Sequence, residues 1–192
     1  MRADLLAKAA GVLLAALVFP GAALADEQVW AFLKGGGQVI LLRHAITTPG
    51  VGDPPGMRLE DCGTQRNLTQ EGRRHARQIG EAFRARGIVV DRVLASPWCR
   101  CVETAQLAFG GAEVSPPLGN LYGRQEARTE QVRAMEVMVG AWRGPGNLAL
   151  VSHGSTIAAL TGVHPDSGEM VVVTPQGGGG FVVRGRLMAD SP

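Results

Sequence analysis

The sequence predicts a layered α/β domain, and three observations carry that reading. Beyond the first 25 residues, short apolar runs of strand type alternate with stretches whose apolar residues recur at helical spacing. Two of the apolar runs, "QVILLRH" and "NLALVSHG", end alike, on a histidine that meets small residues. The chain of 192 residues, 45% hydrophobic and 19% charged, has the length of one domain with a sizeable core.

The first 25 residues are of another kind. Arg2 and Lys8 precede the apolar run "GVLLAALVFPGAALA", which closes on Ala23-Leu24-Ala25. This is the pattern of a secretory signal peptide over residues 1–25 with a cut after Ala25, leaving a catalytic-size domain over 26–192. A membrane anchor is the competing reading, but Pro20 and Gly21 interrupt the run, which is shorter than the ~20 apolar residues of a spanning helix. The mature chain is expected in the periplasm or outside the cell, without a stable membrane span.

"QVILLRH" is the first buried strand. The stretch from Ala45 to Arg66, rich in Gly, Pro and Asp, has no period and reads as a long loop bordering a pocket. "NLTQEGRRHARQIGEAFRARG" reads as a helix capped by Thr69, with Ala76, Ile79 and Phe83 on its apolar side and a stop at Gly87. His75 falls on the polar side and is expected to face solvent. Capping accounts for Thr69 without invoking a glycosylation acceptor at Asn67.

"VVDRVLASP" supplies the next strand, broken at Ser96-Pro97, and "WCRCVETAQLAFG" resumes as a helix through Val102, Ala105 and Phe109. After the turn-rich connector "PPLGNLYGRQ", residues Glu126 to Trp142 form an amphipathic helix, and "NLALVSHGSTIAALTG" adds a buried strand and a helix start. "EMVVVTP" and "FVVRGRL" are strands joined through Gly177–Gly180, a hairpin connection rather than a phosphate loop, and Glu169 before them is expected to be structural.

A net charge of +2 and a pI near 8.6, without clustered basic patches, argue against a nucleic-acid partner. Chemistry is expected instead where buried strands end, because loops there leave a rigid scaffold and side chains converge on one crevice. Arg43 and His44 end one strand and His153 ends another. Each alone reads as a structural residue; together with Arg100 they make an oxyanion pocket. Arg100 sits in the first turn of its helix, at the positive end of the dipole, where a cation is unfavourable. A bound anion or a pair with Glu103, three residues on, would relieve it.

"LLRHA", "LASPWCRCVETA" and "LVSHGSTIAALTG", in that order, resemble the histidine phosphatase superfamily, also called phosphoglycerate mutase-like, over most of the mature chain. With the signal peptide, the chain is most similar to the small periplasmic branch. The resemblance implies a three-layer sandwich, a mostly parallel central sheet with helices on both faces. It further implies that His44 is transiently phosphorylated while Arg43, Arg100 and His153 grip the phosphoryl oxygens, with no metal and no cofactor. A general acid usually lies between the Arg-bearing helix and the second histidine, where Glu126 is the nearest candidate in order. The family commonly has Gly after the Arg-His pair; Ala45 stands there, at a cost on the order of 1 kcal/mol if that backbone needs a positive φ.

The expected function is an exported phosphomonoester hydrolase acting on a phosphorylated small molecule or an envelope phosphosugar. The alternatives are a phosphoglycerate mutase-type transferase, and an inactive phosphate- or phosphosugar-binding module. The oligomeric state has no signature in the sequence. Outside the cytoplasm Cys62, Cys99 and Cys101 meet an oxidising environment, so one bridge and one leftover thiol are expected. Cys99 and Cys101 are too close in sequence to bond each other readily, which leaves Cys62 with either of them. Metal ligation lacks the paired spacing that a zinc site would have.

Overall fold

The computed structural model describes residues 21–189. The signal peptide read over 1–25 lies outside these residues as far as position 20. Gly21–Ala25 begin α1 (Gly21–Gly35), so the expected cut falls inside that helix, and Val29, Trp30 and Leu33 on its later turns are buried.

The sheet has six strands in the order β3-β2-β4-β1-β5-β6. β1 (Val39–Arg43), β2 (Val90–Ala95), β3 (Glu113–Val114) and β4 (Asn147–Ser152) run parallel, while β5 (Glu169–Gly177) and β6 (Gly180–Met188) form an antiparallel hairpin beside β1. At the hairpin turn Gly178 and Gly179 hold φ of +57° and +87°, a left-handed conformation that only glycine adopts without penalty.

Both faces of the sheet are covered, which is why β1 reads as a continuous apolar run. Ile40 and Leu42 pack with residues of α1, α2 (Gln70–Ala85) and α3 (Cys99–Phe109), including Ile79, Phe83 and Ala105. Val39 and Leu41 point the other way, onto Met135 and Val139 of α4 (Arg128–Gly140) and Ile157 of α5 (Gly154–Thr161). The expected three-layer sandwich is therefore observed.

β1 and β4 pair from Val39 with Leu148 to Arg43 with Ser152, and β2 joins β4 with Ala95 opposite Val151. The three strands thus stop in one row. The row continues one residue further, as His44 N–H donates to the Ser152 carbonyl at 3.0 Å and Ser96 N–H to the Val151 carbonyl at 2.9 Å.

The second helix is capped as read, with the Thr69 hydroxyl accepting from Gly72 N–H at 3.0 Å. Gly72 presses on the loop that leaves β1: an added Cβ would stand 1.9 Å from the Ile46 carbonyl oxygen. Two expectations change. α4 begins at Arg128, because Gln125–Ala127 close a 3-10 turn instead of the first α-turn. His75 is half-buried rather than solvent-facing; its Cε1 lies 2.2 Å from where a Gly168 Cβ would be, so its ring fills the space that glycine leaves.

The structure selects Cys99 as the partner of Cys62, with Cα atoms 5.7 Å apart and a sequence separation of 37, and leaves Cys101 buried as a thiol. The bridge fastens the long loop to the first turn of α3. In the chain-entropy estimate a closure of this length stabilises the fold by about 4 kcal/mol. Reduction, or Cys62→Ser, should therefore lower the melting temperature measured by circular dichroism; an unchanged transition would count against a structural bridge.

Candidate active site

The ends of β1, β2 and β4 and the starts of α3 and α5 open on a cavity of about 800 Å³. Its lining brings together all four strand-end residues read from the sequence, Arg43, His44, Arg100 and His153, and adds Asp53 and Arg66 from the long loop. Among the described residues that line it, Asp53 is the only carboxylate.

His44 is 2% exposed, and its Nδ1 lies 2.9 Å from the Ala45 carbonyl oxygen. A carbonyl can only accept, so Nδ1 carries the proton and Nε2 keeps a lone pair. Burial pushes the pKa down to about 3; the Ala45 carbonyl opposes this, while Arg100, Arg43 and Arg66 reinforce it. Ala45 is unstrained, since no non-glycine among the described residues has a positive φ. Its N–H donates to the Thr104 hydroxyl at 3.0 Å, so the departure from the family's usual Gly leaves the turn intact.

His153 lies against His44, ring centroids 5.5 Å apart. A guanidinium only donates, so the 3.3 Å contact from Arg100 Nη2 makes Nδ1 an acceptor and puts the proton on Nε2, which donates to Ser96 Oγ at 2.8 Å. The edge of Trp98 closes on the same ring at 5.1 Å. Burial, and then the charge of Arg100, hold the His153 pKa well below its usual value.

Arg100 has no exposed surface. Its Nη1 and Nη2 donate to Asp53 Oδ1 at 2.7 Å and Oδ2 at 3.1 Å, and Nη1 also reaches the Arg66 carbonyl at 3.3 Å. The anion that a cation in the first turn of a helix calls for is thus Asp53. Glu103 does not supply it, because its carboxylate pairs with Arg73 at 2.6 Å. Asp53 also accepts from the Arg66 N–H at 3.1 Å and the Trp98 indole at 3.2 Å. Burial alone would raise its pKa; the hydrogen bonds and charge of Arg100 overturn that and hold the carboxyl below its ordinary value.

Arg43 donates through Nη1 to the Pro165 carbonyl at 2.8 Å. The Nε–H groups of Arg43, Arg66 and Arg100 are all buried without a partner. An orphaned buried donor costs about 1–3 kcal/mol, more when charged, and an anion among these three guanidinium groups would offset it. Four arginines, these three and Arg124, against one carboxylate leave the cavity net positive.

The other candidates lie elsewhere. Glu126 is exposed on its 3-10 turn and does not line the cavity, although Arg124 beside it does. Cys62 and Cys99 form the bridge that pins the loop carrying Asp53. Cys101 puts its sulfur 3.5 Å from His153 Nε2, and burial pushes its thiol up to about 12, which keeps it protonated and unreactive. No group of three or more His, Cys, Asp or Glu among the described residues is placed to hold a metal ion. Asp53, Arg66, Ser96 and Trp98 escape the sequence reading. Ser96 carried a signal as a polar residue at the end of an apolar run, and Asp53 and Arg66 only through the loop expected to border the pocket.

Two buried neutral imidazoles make the fold acid-sensitive. The unfolded chain takes up a proton on each as pH falls below about 6.5, while the folded chain does not until near pH 3 at His44 and well below the usual range at His153. Stability contributed by the neutral rings is complete above pH 6.5 and should fall by up to about 1.4 kcal/mol per pH unit for each ring below it. Urea unfolding at pH 7, 6 and 5 checks this, together with the imidazole NMR signals of His44 and His153, which should not titrate near 6.5 in the folded protein.

The model of the histidine phosphatase superfamily (branch 1) matches residues 39–120. No curated protein sequence matches the chain. Among solved structures, the protein histidine phosphatase SixA complexed with tungstate is 17% identical, with a TM-score of 0.54 over 79% of this chain and 97% of that one. Phosphoserine phosphatase from Entamoeba histolytica, in complex with 3-phosphoglyceric acid, is 13% identical, with a TM-score of 0.57 over 78% and 96%. The family match covers β1, the loop and α2 to β3, the fold relation extends past them through β4, and together they bear out the resemblance to the histidine phosphatase superfamily.

Proposed function

We propose that this chain is an exported phosphomonoester phosphatase that works through a phosphohistidine on His44. The observation that carries the reading is a neutral imidazole, fixed with its lone pair on Nε2, in a cavity lined by Arg43, Arg66 and Arg100. In-line attack by Nε2 would form a P–N bond and break the P–O ester bond, the departing oxygen taking a proton from solvent in the open cavity; water would then attack the phosphorus, break the P–N bond and give a proton back to solvent, freeing inorganic phosphate and restoring the imidazole. Phosphoryl transfer needs positioning and charge neutralisation above all, and arginine forks supply both without a metal ion.

His153 supports Arg100 rather than acting first. Its Nδ1 accepts from the guanidinium while Ser96 fixes the tautomer, so the ring locks the fork beside His44. Neighbours in the fold handle oxyanions of this kind, as the tungstate of SixA and the 3-phosphoglyceric acid of the Entamoeba histolytica phosphatase indicate. The Cys62–Cys99 bridge favours export, since such bonds persist in oxidising compartments. The cavity volume favours a phosphorylated small molecule, and a phosphosugar of the cell envelope fits both the size and the location.

Rapid alkaline quench of the mature protein with a radiolabelled aryl phosphate should trap label on His44 as an alkali-stable, acid-labile phosphoramidate, and His44→Ala should abolish turnover. Full activity in that variant would overturn the mechanism, and the absence of any turnover in wild type would leave a phosphate-binding module. Arg100→Lys should lower kcat/KM for the aryl phosphate by about 100-fold or more, because a point charge cannot reproduce a two-pronged donor held in a buried site. A Lys variant equal to wild type would remove Arg100 from the site chemistry.

A further inference from the structure

We propose that Asp53 determines specificity as an internal anion: a ligand must displace its carboxylate from Arg100, which admits dianionic phosphoryl groups and turns away monoanions. This rests on the reading of the cavity as a phosphoryl site.

The Arg100 guanidinium is almost fully committed. Asp53 takes one hydrogen from each terminal nitrogen, the Arg66 carbonyl and His153 Nδ1 take the others, and only Nε–H is left. A phosphoryl group that is to be gripped by two prongs has to take them from Asp53. The carboxylate cannot stay where it is and share the fork, since two anions at hydrogen-bond distance from one guanidinium repel each other.

Displacement is structurally cheap. Residues 48–52 and 54–56 on either side of Asp53 are all exposed, so this segment hangs on one partly buried carboxylate, 16% exposed at its side chain. Withdrawing it breaks the bonds to Arg100, Trp98 and Arg66 but leaves the core untouched. Beyond Met57 the chain is fastened again, by the bridge from Cys62 to Cys99, which confines the movement to the segment before it.

Charge then decides which ligands succeed. A monoanion that replaces Asp53 exchanges one negative charge for another and gains nothing in return for the lost contacts. A phosphoryl dianion interacts with Arg43, Arg66 and Arg100 about twice as strongly, so only it recovers the loss. A fork occupied by Asp53 nine-tenths of the time lowers ligand affinity about tenfold relative to a free one.

Asp53→Asn tests this, because the amide loses the charge and keeps one acceptor, which can serve the Arg66 N–H held by Oδ1 or the Trp98 indole held by Oδ2 but not both. Calorimetric titration at pH 8 with inorganic phosphate, a dianion there, and methyl sulfate, a monoanion, should find phosphate bound about tenfold tighter by the variant than by wild type. Methyl sulfate should bind measurably only to the variant. Weaker phosphate binding by the variant, or an unchanged preference between the two anions, would mean that Asp53 only orients Arg100. Wild type gives an independent readout: at saturating phosphate the Trp98 indole N–H signal, assigned with Trp98→Phe, should shift as its bond to Asp53 is lost. An unmoved signal overturns this inference alone, whereas wild type that neither binds phosphate nor hydrolyses phosphomonoesters overturns the phosphatase reading as well.

Discussion

The parallel register of β1 on β4 is the constraint from which the site follows. Because Arg43 lies opposite Ser152, the residues after them, His44 and His153, leave the sheet as neighbours, although 109 positions of chain separate them. A slip of one residue would turn Ile40 and Leu42 to the opposite face, exchanging the two cores that clasp the sheet, so the packing of every covering helix holds the imidazoles in place. The apolar core therefore acts as the positioning device for the polar cavity.

Gathering Arg43, Arg66, Arg100, His44 and His153 at one cavity carries its own cost, and the fold meets it in two ways. Both rings stay neutral, since burial and the neighbouring cations oppose protonation, which prevents five positive charges from facing one another. Asp53 then neutralises the most deeply buried cation, and that pair also satisfies the positive end of α3. The arrangement leaves the Nε2 lone pair of His44 unprotonated at neutral pH.

The loop between β1 and α2 is ordered by contacts made outside any regular element. Its hydrogen bonds run to Trp98, Cys99 N–H and Arg100 at the start of α3, and the disulfide reinforces the same junction. Gly72, pressed onto Ile46, and Thr69 N–H, which donates to the Ile46 carbonyl at 3.1 Å, tie the other end of the loop to α2. Loop, α2 and α3 thus form one wall of the cavity.

The sequence by itself determined most of the elements and the residues at their ends, though not α1, β3 or the start of α4. Burial on both faces writes a continuous apolar run for β1 and β4, helical spacing marks α2 and α3, and Arg43, His44, Arg100 and His153 stand where those periodic patterns stop. Only the tertiary structure decided the pairings. Asp53 on Arg100, Ser96 on His153, Glu103 on Arg73 and Cys62 on Cys99 join residues 30 to 57 positions apart, and nothing local to either partner encodes the other. Glu103 illustrates the reason: helical spacing offers it Arg100 three residues away, but the buried Arg100 turns into the cavity toward Asp53, and Arg73 on the adjacent helix takes the carboxylate. Local periodicity follows from backbone geometry, which each stretch of chain carries within itself, whereas the partner of a charge depends on which distant segments packing brings to it.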